Sequence, residues 1–572
     1  MRKSLLVLTG MVVLLLSLSI PIMQCAPAPE EEVIPPPEEE VIPPPEEEEI
    51  PYGGRLNVGW RNCVDGVALD ESIGYWPMAW VWWRLVYDRV AREGVPPDYI
   101  PEPQLVVKWE TEDHKTWTVH LREGATFHDG VPVTAEDFAF TLTDFFKAEP
   151  RWLYQDGDCV PGSVKVIDDN TLQFTLKTVQ GEVRYPPVWD VPIVPKHIWE
   201  PYFEAAIERG EPISEHGYAN EDCIGSGPFK LKEFKPAEYM LFQAHDGYFE
   251  RPYVDEVLFR TYGTADALYA ALKTGEIDMI GYGGVSKLAV DDFKGVEGIK
   301  IIISPGIDQT ALSFNLHQDT PLGQDKNVRK AFMYAIDRDR IIDIVYLGYA
   351  DKIDSAVYEE LPTHNPNLPQ YEYNPDLANE ILDAGGYIDN DGDGIRNDPA
   401  TGKDLAFKFM VNADFSDDVK IATAVKEQLK DIGIEITVRT LDTGTFGAYL
   451  YAPKMDHFDI ALTAMDPGPY NSWVWEWFRS YEAGGELWNS AYYNNPVLDE
   501  LLDKMYAEVE ATKNREYWYE MEEIVAEDLP YGMLWRANVI DPVSDRFEGY
   551  VSAMGGVSSW TNQWSYLKVH LK

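Results

Sequence analysis

Residues 30–51 read EEEVIPPP-EEEVIPPP-EEEEIP, a repeat of acid and proline that no packed element can contain. Proline triplets lack backbone donors and favour an extended polyproline conformation, the glutamates repel one another, and the few aliphatic side chains bury too little surface to offset the entropy of ordering. The repeat is therefore a solvated, semi-rigid spacer. It sets a short N-terminal segment (with the linker itself spanning 26–51) apart from a body that begins at Tyr52. A chain of 572 residues is too long for one hydrophobic core, so the body must divide again, into two to four structural units.

Ahead of the spacer, Arg2 and Lys3 form a positive flank to an apolar run, Leu5 to Ile22, broken by Thr9, Gly10, Ser17, Ser19 and Pro21. This pattern, over residues 1–25, reads as a secretory signal rather than a stable membrane span. Its end, Ile22-Met23-Gln24-Cys25, resembles a lipoprotein cleavage box in which Cys25 takes the lipid, although Gln24 stands where a small residue is usual. The other reading is an ordinary cleaved signal with Cys25 incidental. Both place the mature protein outside the cytoplasm, touching the membrane through an N-terminal lipid or not at all. Cys63, Cys159 and Cys223 remain, and an oxidising compartment permits one disulfide among them. Cys159 with Cys223 is the expected pair, since both lie in turn-rich stretches; three unpaired buried thiols is the alternative.

Acidic residues outnumber basic ones 97 to 48, for a net charge of −49. Phosphate recognition needs a cationic surface, so nucleic acid is excluded as a partner. From Tyr52 onward the pattern is mixed α and β. Arg55 to Trp60 alternates like a strand, Leu105–Trp109 and Thr116–Leu121 read as a hairpin, and Thr134-Ala-Glu-Asp137 opens a helix with a capping box.

The stretch Leu105–Leu142, containing LREGATFHDGVPVTAEDFAFTL, resembles the signature of the peptide-binding family of importer solute-binding proteins. Further blocks follow in the same order: Ser163–Lys177, Val194-Pro-Lys-His-Ile198, Gly225–Leu231 (GSGPFKL), Ala271–Asp278 (ALKTGEID) and Asn327–Arg338 (NVRKAFMYAIDR). Any one block is weak evidence; their order is specific. The resemblance implies an α/β two-lobed clamp with an additional appended α+β domain. On that pattern the first lobe comprises 52–95, 225–308 and 530–572, the appended domain 96–224, and the second lobe 309–529, with hinge strands near 308 and 530. It implies a monomer that captures a peptide or another small solute, closes over it and delivers it to ABC transporter permease subunits.

In that family an Asp in the second lobe pairs with the ligand's α-ammonium group, and the matching residue here is Asp466, after the strand His457–Ala464. Pro469 stands where the family carries a second Asp, so the loop departs from the pattern. Tyr470, Trp473 and Trp488, with Trp475 and Trp477 between them, are expected to wall the pocket. The simpler reading of Asp466 is that it organises the turn before Pro467. No cofactor is required. Asp389, Asp391 and Asp393, with Gly394 and the carbonyl of Ile395, have the spacing of the front of a calcium loop. Asp398 would have to replace the missing bidentate acid at its end, and a metal-free Asp-Gly turn is the alternative. A secreted hydrolase would need a nucleophile with a base or a metal with ligands, and HExxH and GxSxG are both absent. The chain is thus expected to bind and not to catalyse. An oligosaccharide ligand, or a sensory receptor on the same scaffold, remains as the rival to a peptide importer.

Overall fold

Two runs rich in β-branched and aromatic residues, Ile299–Phe314 and Tyr531–Ser544, form strands of 16 and 14 residues, longer than ordinary strands. They pair antiparallel from Ile299 opposite Ser544 to Ser313 opposite Tyr531, and the register breaks between Pro305 and Gln309, opposite Asn538 and Arg536. Proline cannot donate to a ladder, and Pro305 stands at this break. Gly306 is required there: a Cβ would stand 2.2 Å from the Ala537 carbonyl oxygen.

The computed structural model describes residues 50–61, 77–97, 99–145, 159–179, 191–209, 220, 222–317, 319–451, 457–468, 471, 473–480 and 488–572. The signal segment, Cys25, the acid–proline spacer up to residue 49, Cys63 and Tyr470 lie outside them.

Each end of the long ribbon belongs to a different half of one 11-stranded sheet. Below the break, Val543 pairs Met279 of a short strand, which leads on through Arg55–Trp60, Glu256–Thr261, Tyr239–Ala244 and Phe229–Lys235. Above it, Gln309–Phe314 pairs Ile460–Met465, followed by Ala406–Asn412 and Glu435–Leu441. Separate cores sit on the two halves. One gathers Leu56, Val58, Trp82, Phe242, Phe259 and Tyr566; the other gathers Phe314, Phe332, Val425, Ile460 and Trp535. A four-stranded sheet, ordered Val106–Thr111, Thr116–Leu121, Thr171–Thr175 and Lys165–Asp168, has its own core around Trp117, Phe138 and Phe174. Trp199, Phe203 and Cys223, late in the segment expected to form that domain, pack in the first core instead.

The ordered blocks of the sequence turn out to be joints of the scaffold. Gly225 and Gly227 lie against the backbone of Leu85 and Val86, where added Cβ atoms would come within 2.1 and 2.6 Å of carbonyl oxygens. The His128 ring bridges the Gly225 amide (3.2 Å) and the Gly227 carbonyl (3.0 Å), and burial pushes its pKa down to about 3 so that it stays neutral. Thr134 and Asp137 form the expected capping box, and the other Asp137 oxygen accepts the Lys196 amide at 3.0 Å. In the NVRKAFMYAIDR block, Arg338 is buried and donates to the carbonyls of Ile353 (2.7 Å), Tyr371 (2.8 Å) and Met533, while pairing with Asp354 at 2.9 Å. It pins two loops to the upper end of the ribbon.

The expected Cys159–Cys223 disulfide does not form. Cys223 is a buried thiol beside Tyr87 in the first core, its pKa pushed up to about 12 by burial. Cys159 packs on the core of the four-stranded sheet, bridging to Leu176. Turn-rich sequence put both residues near chain reversals but said nothing of which core each would join.

Arg338→Leu should destabilise the protein by about 3–5 kcal/mol, because it strands Asp354 and three carbonyls in the interior. Urea unfolding followed by circular dichroism measures it, and a loss below about 1 kcal/mol would contradict this role.

Candidate functional site

The ladder between the ribbon and Ile460–Met465 ends with Gln309 opposite Met465. One rung further stand Asp308 and Asp466, at the register break, where the two halves of the sheet part. Asp466 Oδ1 accepts the Gly468 amide at 2.8 Å, and its carbonyl accepts the Trp477 indole N–H at 3.0 Å. Asp466 thus organises its own turn, and the Tyr358 hydroxyl stands in hydrogen-bonding reach of the same carboxyl group. Burial, and then the neighbouring charge of Asp308, push the Asp466 pKa up to about 8. Asp308 is raised as well, by desolvation. Its side chain is open to solvent by area yet walled by protein a little further out, as expected of a group lining a cleft.

Both halves supply walls. Tyr358 is buried and donates to the Ile307 carbonyl at 2.9 Å, which fixes the loop 353–361 against the break. Tyr282, from the opposite half, feels the charges of both Asp308 and Asp466, and burial foremost raises its phenol. Trp473 stacks on Trp560 with ring centroids 5.9 Å apart and planes 13° from parallel, so an indole from each half meets across the cleft. Trp80 packs edge-on against Trp560 at 4.8 Å, and the Arg84 guanidinium lies 4.6 Å from that ring. Glu476 is raised to about 7 by burial, and its charge reaches Asp466. The nearby arginines have carboxylate partners: Arg536 bonds Glu360, at 3.0 Å for one of two contacts, and Arg84 pairs with Glu93. Lys287 reaches from the first half to Asp417 in the second and lies 4.3 Å over the Tyr346 ring.

Of the residues singled out in the sequence, Asp466 and Trp473 share this cleft. Trp488 stands one layer behind, 5.8 Å from Trp477 and edge-on to Tyr451 at 5.7 Å, in the core of the second half. Asp389, Asp391 and Asp393 converge on the surface, with Asp389 also accepting the amides of Gly392 (2.7 Å) and Gly394 (3.0 Å). Asp393 accepts the Ile395 amide at 2.8 Å. Asp398 turns away to bond Thr401 and the Ala400 amide. Sequence reasoning missed Asp308, Glu476, Tyr282, Tyr358 and Trp560. For Asp308 a signal existed: it is the one charged side chain between Lys300 and the strand end at Phe314.

Residues 101–492 match the bacterial extracellular solute-binding proteins, family 5, over the middle region of that family. The chain belongs to this family. It is accordingly a solute-binding protein of the extracellular side and not an enzyme. It is 28% identical over 452 residues to the oligopeptide-binding protein AppA of Bacillus subtilis, covering 77% of this chain and 79% of that one. It is 24% identical over 472 residues to the dipeptide-binding protein of Escherichia coli, covering 78% and 83%. Among solved structures, a periplasmic oligopeptide-binding protein of an ABC transporter from Thermotoga maritima matches with a TM-score of 0.74 at 22% identity, over 90% of this chain and 99% of that one. AppA of B. subtilis, solved with a nonapeptide, matches at 0.66 and 23% identity, over 92% and 100%. These likenesses establish the two-lobed binding-protein fold.

Proposed function

We propose that this family 5 protein is the substrate-binding component of an ABC importer, that it takes peptides, and that Asp466 receives the ligand's α-ammonium group. The observation that carries the reading is a carboxyl group, raised to about 8 by burial and by the neighbouring Asp308, that forms no ion pair among the described residues. In water-poor surroundings such a group is stabilised by a bound ammonium, through a charge-assisted hydrogen bond. The names of the curated relatives favour a peptide as its source. Closure works through the ribbon: the break at 305–309 needs only a few residues to change φ and ψ for the halves to approach. A ligand touching both halves then binds the closed form better and shifts the population toward it.

Asp466→Asn should weaken a peptide with a free N-terminus by about 1.5–3 kcal/mol, roughly 10- to 150-fold. N-acetylation of the peptide should cost the wild-type protein as much and the variant little further, both read by calorimetry. Equal affinities for free and acetylated peptide on the wild type would remove Asp466 from this role.

Two features of the periphery complete the proposal. The protein is held at the membrane by lipid on Cys25, the acid–proline spacer carrying the body clear of the surface. The wild type should then partition into detergent and Cys25→Ser should not, whereas a soluble wild type with another N-terminal residue would refute the anchor. Asp389, Asp391 and Asp393, with the Ile395 carbonyl, hold a structural calcium. They supply four of the six to eight oxygens calcium takes, water supplying the rest, since Asp398 is committed elsewhere. EDTA should lower the melting temperature of calcium-replete wild type but not of Asp391→Ala, and an unchanged melting curve would leave the loop a plain Asp-Gly turn.

A further inference from the structure

We propose that the cleft selects a ligand end bearing two positive charges, the second of them received by Asp308; for a peptide, this is a free α-ammonium group beside a basic first or second side chain. The inference rests on the peptide reading above for the first charge and adds the second.

The geometry begins with register. Gln309 faces Met465 in an antiparallel ladder, so the next rung sets Asp308 against Asp466 on one face of the sheet. Directly opposed residues have Cβ atoms about 4.5–5.5 Å apart, and like charges in that position repel. A purely structural pair would be expected to hold a lysine or arginine between its members. Tyr282 and Tyr358 feel the charges of this pair and Glu476 acts on Asp466, while Arg536 stands opposite Gln309 and Arg84 lies on the Trp560 ring. The first three are neutral or acidic. The arginines are already bonded to Glu360 and Glu93. Among the described residues, then, neither Asp308 nor Asp466 forms an ion pair, and burial together with the charge of Asp308 raises Asp466.

A second observation lies beside the pair. Tyr282 and Tyr358, from opposite halves, each feel the charges of both Asp308 and Asp466. Phenols on either side of two opposed carboxyls suit a cationic side chain and disfavour an acidic one. While no cation is bound, two carboxyls so placed share a proton, and the upward displacement of both fits that state. Binding a dication lowers both pKa values, so the proton must leave.

The test uses the full mature chain and tripeptides with free N-termini: Lys-Ala-Ala, Ala-Lys-Ala, Ala-Ala-Ala and Glu-Ala-Ala. By calorimetry the better of the two lysine peptides should bind roughly ten-fold or more tightly than Ala-Ala-Ala, with Glu-Ala-Ala weakest. Asp308→Asn, which keeps shape and removes charge, should abolish the difference between the lysine peptides and Ala-Ala-Ala. Repeating the titration at pH 7.5 in phosphate and in Tris should reveal about one proton released per lysine peptide on the wild type, and less on the variant. Equal affinities across the wild-type series overturn the inference, and so does a lysine preference that survives in Asp308→Asn. Should that variant fail to fold, the ranking and proton release of the wild type still decide. If no peptide binds, the peptide reading fails on its own. Putrescine then carries the question: binding lost in Asp308→Asn sustains a site for two charges, and absence of binding ends it.

Discussion

The pairing of Ile299–Phe314 with Tyr531–Ser544 is the constraint on which the rest depends, because among the described residues no other pair of strands belongs to both halves of the sheet. Backbone hydrogen bonds run along it on both sides of the register break and are interrupted at Pro305 to Gln309. Interruption at that point does two things at once. It concentrates bending in a few residues, and it ends the ladder so that the side chains of Asp308 and Asp466 face a gap rather than a neighbouring strand. The hinge and the charged floor of the cleft are one local feature. Tyr358, donating to the Ile307 carbonyl, ties a loop of the second half to that feature, so its movement is coupled to the bending backbone.

Electrostatics outside and inside the cleft point the same way. With a net charge of −49 the protein surrounds itself with an excess of cations, and a narrow opening between low-dielectric walls focuses such a field. Such a field draws cationic solutes in faster, the charge that the proposed role of Asp308 and Asp466 calls for. The Lys287–Asp417 contact, joining the halves, is partly exposed and contributes little by itself, on the order of 0–1 kcal/mol. Its place between the halves means that this small term acts on closure and not on folding.

Much of the scaffold was legible because the blocks that identify the family are backbone joints, and joints leave strong residue signals. Gly225 and Gly227 admit no Cβ, Thr134 and Asp137 must cap a helix, and Arg338 must reach three carbonyls. Asp466 was found through its resemblance to a family position after a strand. Asp308 escaped because an acid in an apolar strand reads as a surface position until the partner strand and its register are known. The disulfide was misread for a related reason: turns report chain direction, whereas pairing depends on which core each cysteine enters. Trp488 was grouped with Trp473 by proximity in sequence, yet a short helix, Val474–Phe478, and the Trp477 indole separate it from the cleft.

The ribbon also dictates the order in which this protein can be made. Its two strands are separated by more than two hundred residues of sequence, all of the second half lying between them. Tyr531–Ser544 leaves the ribosome more than two hundred residues after Ile299–Phe314, and until it does, Ile299–Phe314 and Met279–Ile280 each lack a partner they hydrogen-bond in the finished sheet. The first half therefore cannot close its sheet co-translationally, however early its own strands appear. An extracellular protein gains from that delay: the strand that completes the sheet is made only after all of the second half that precedes it.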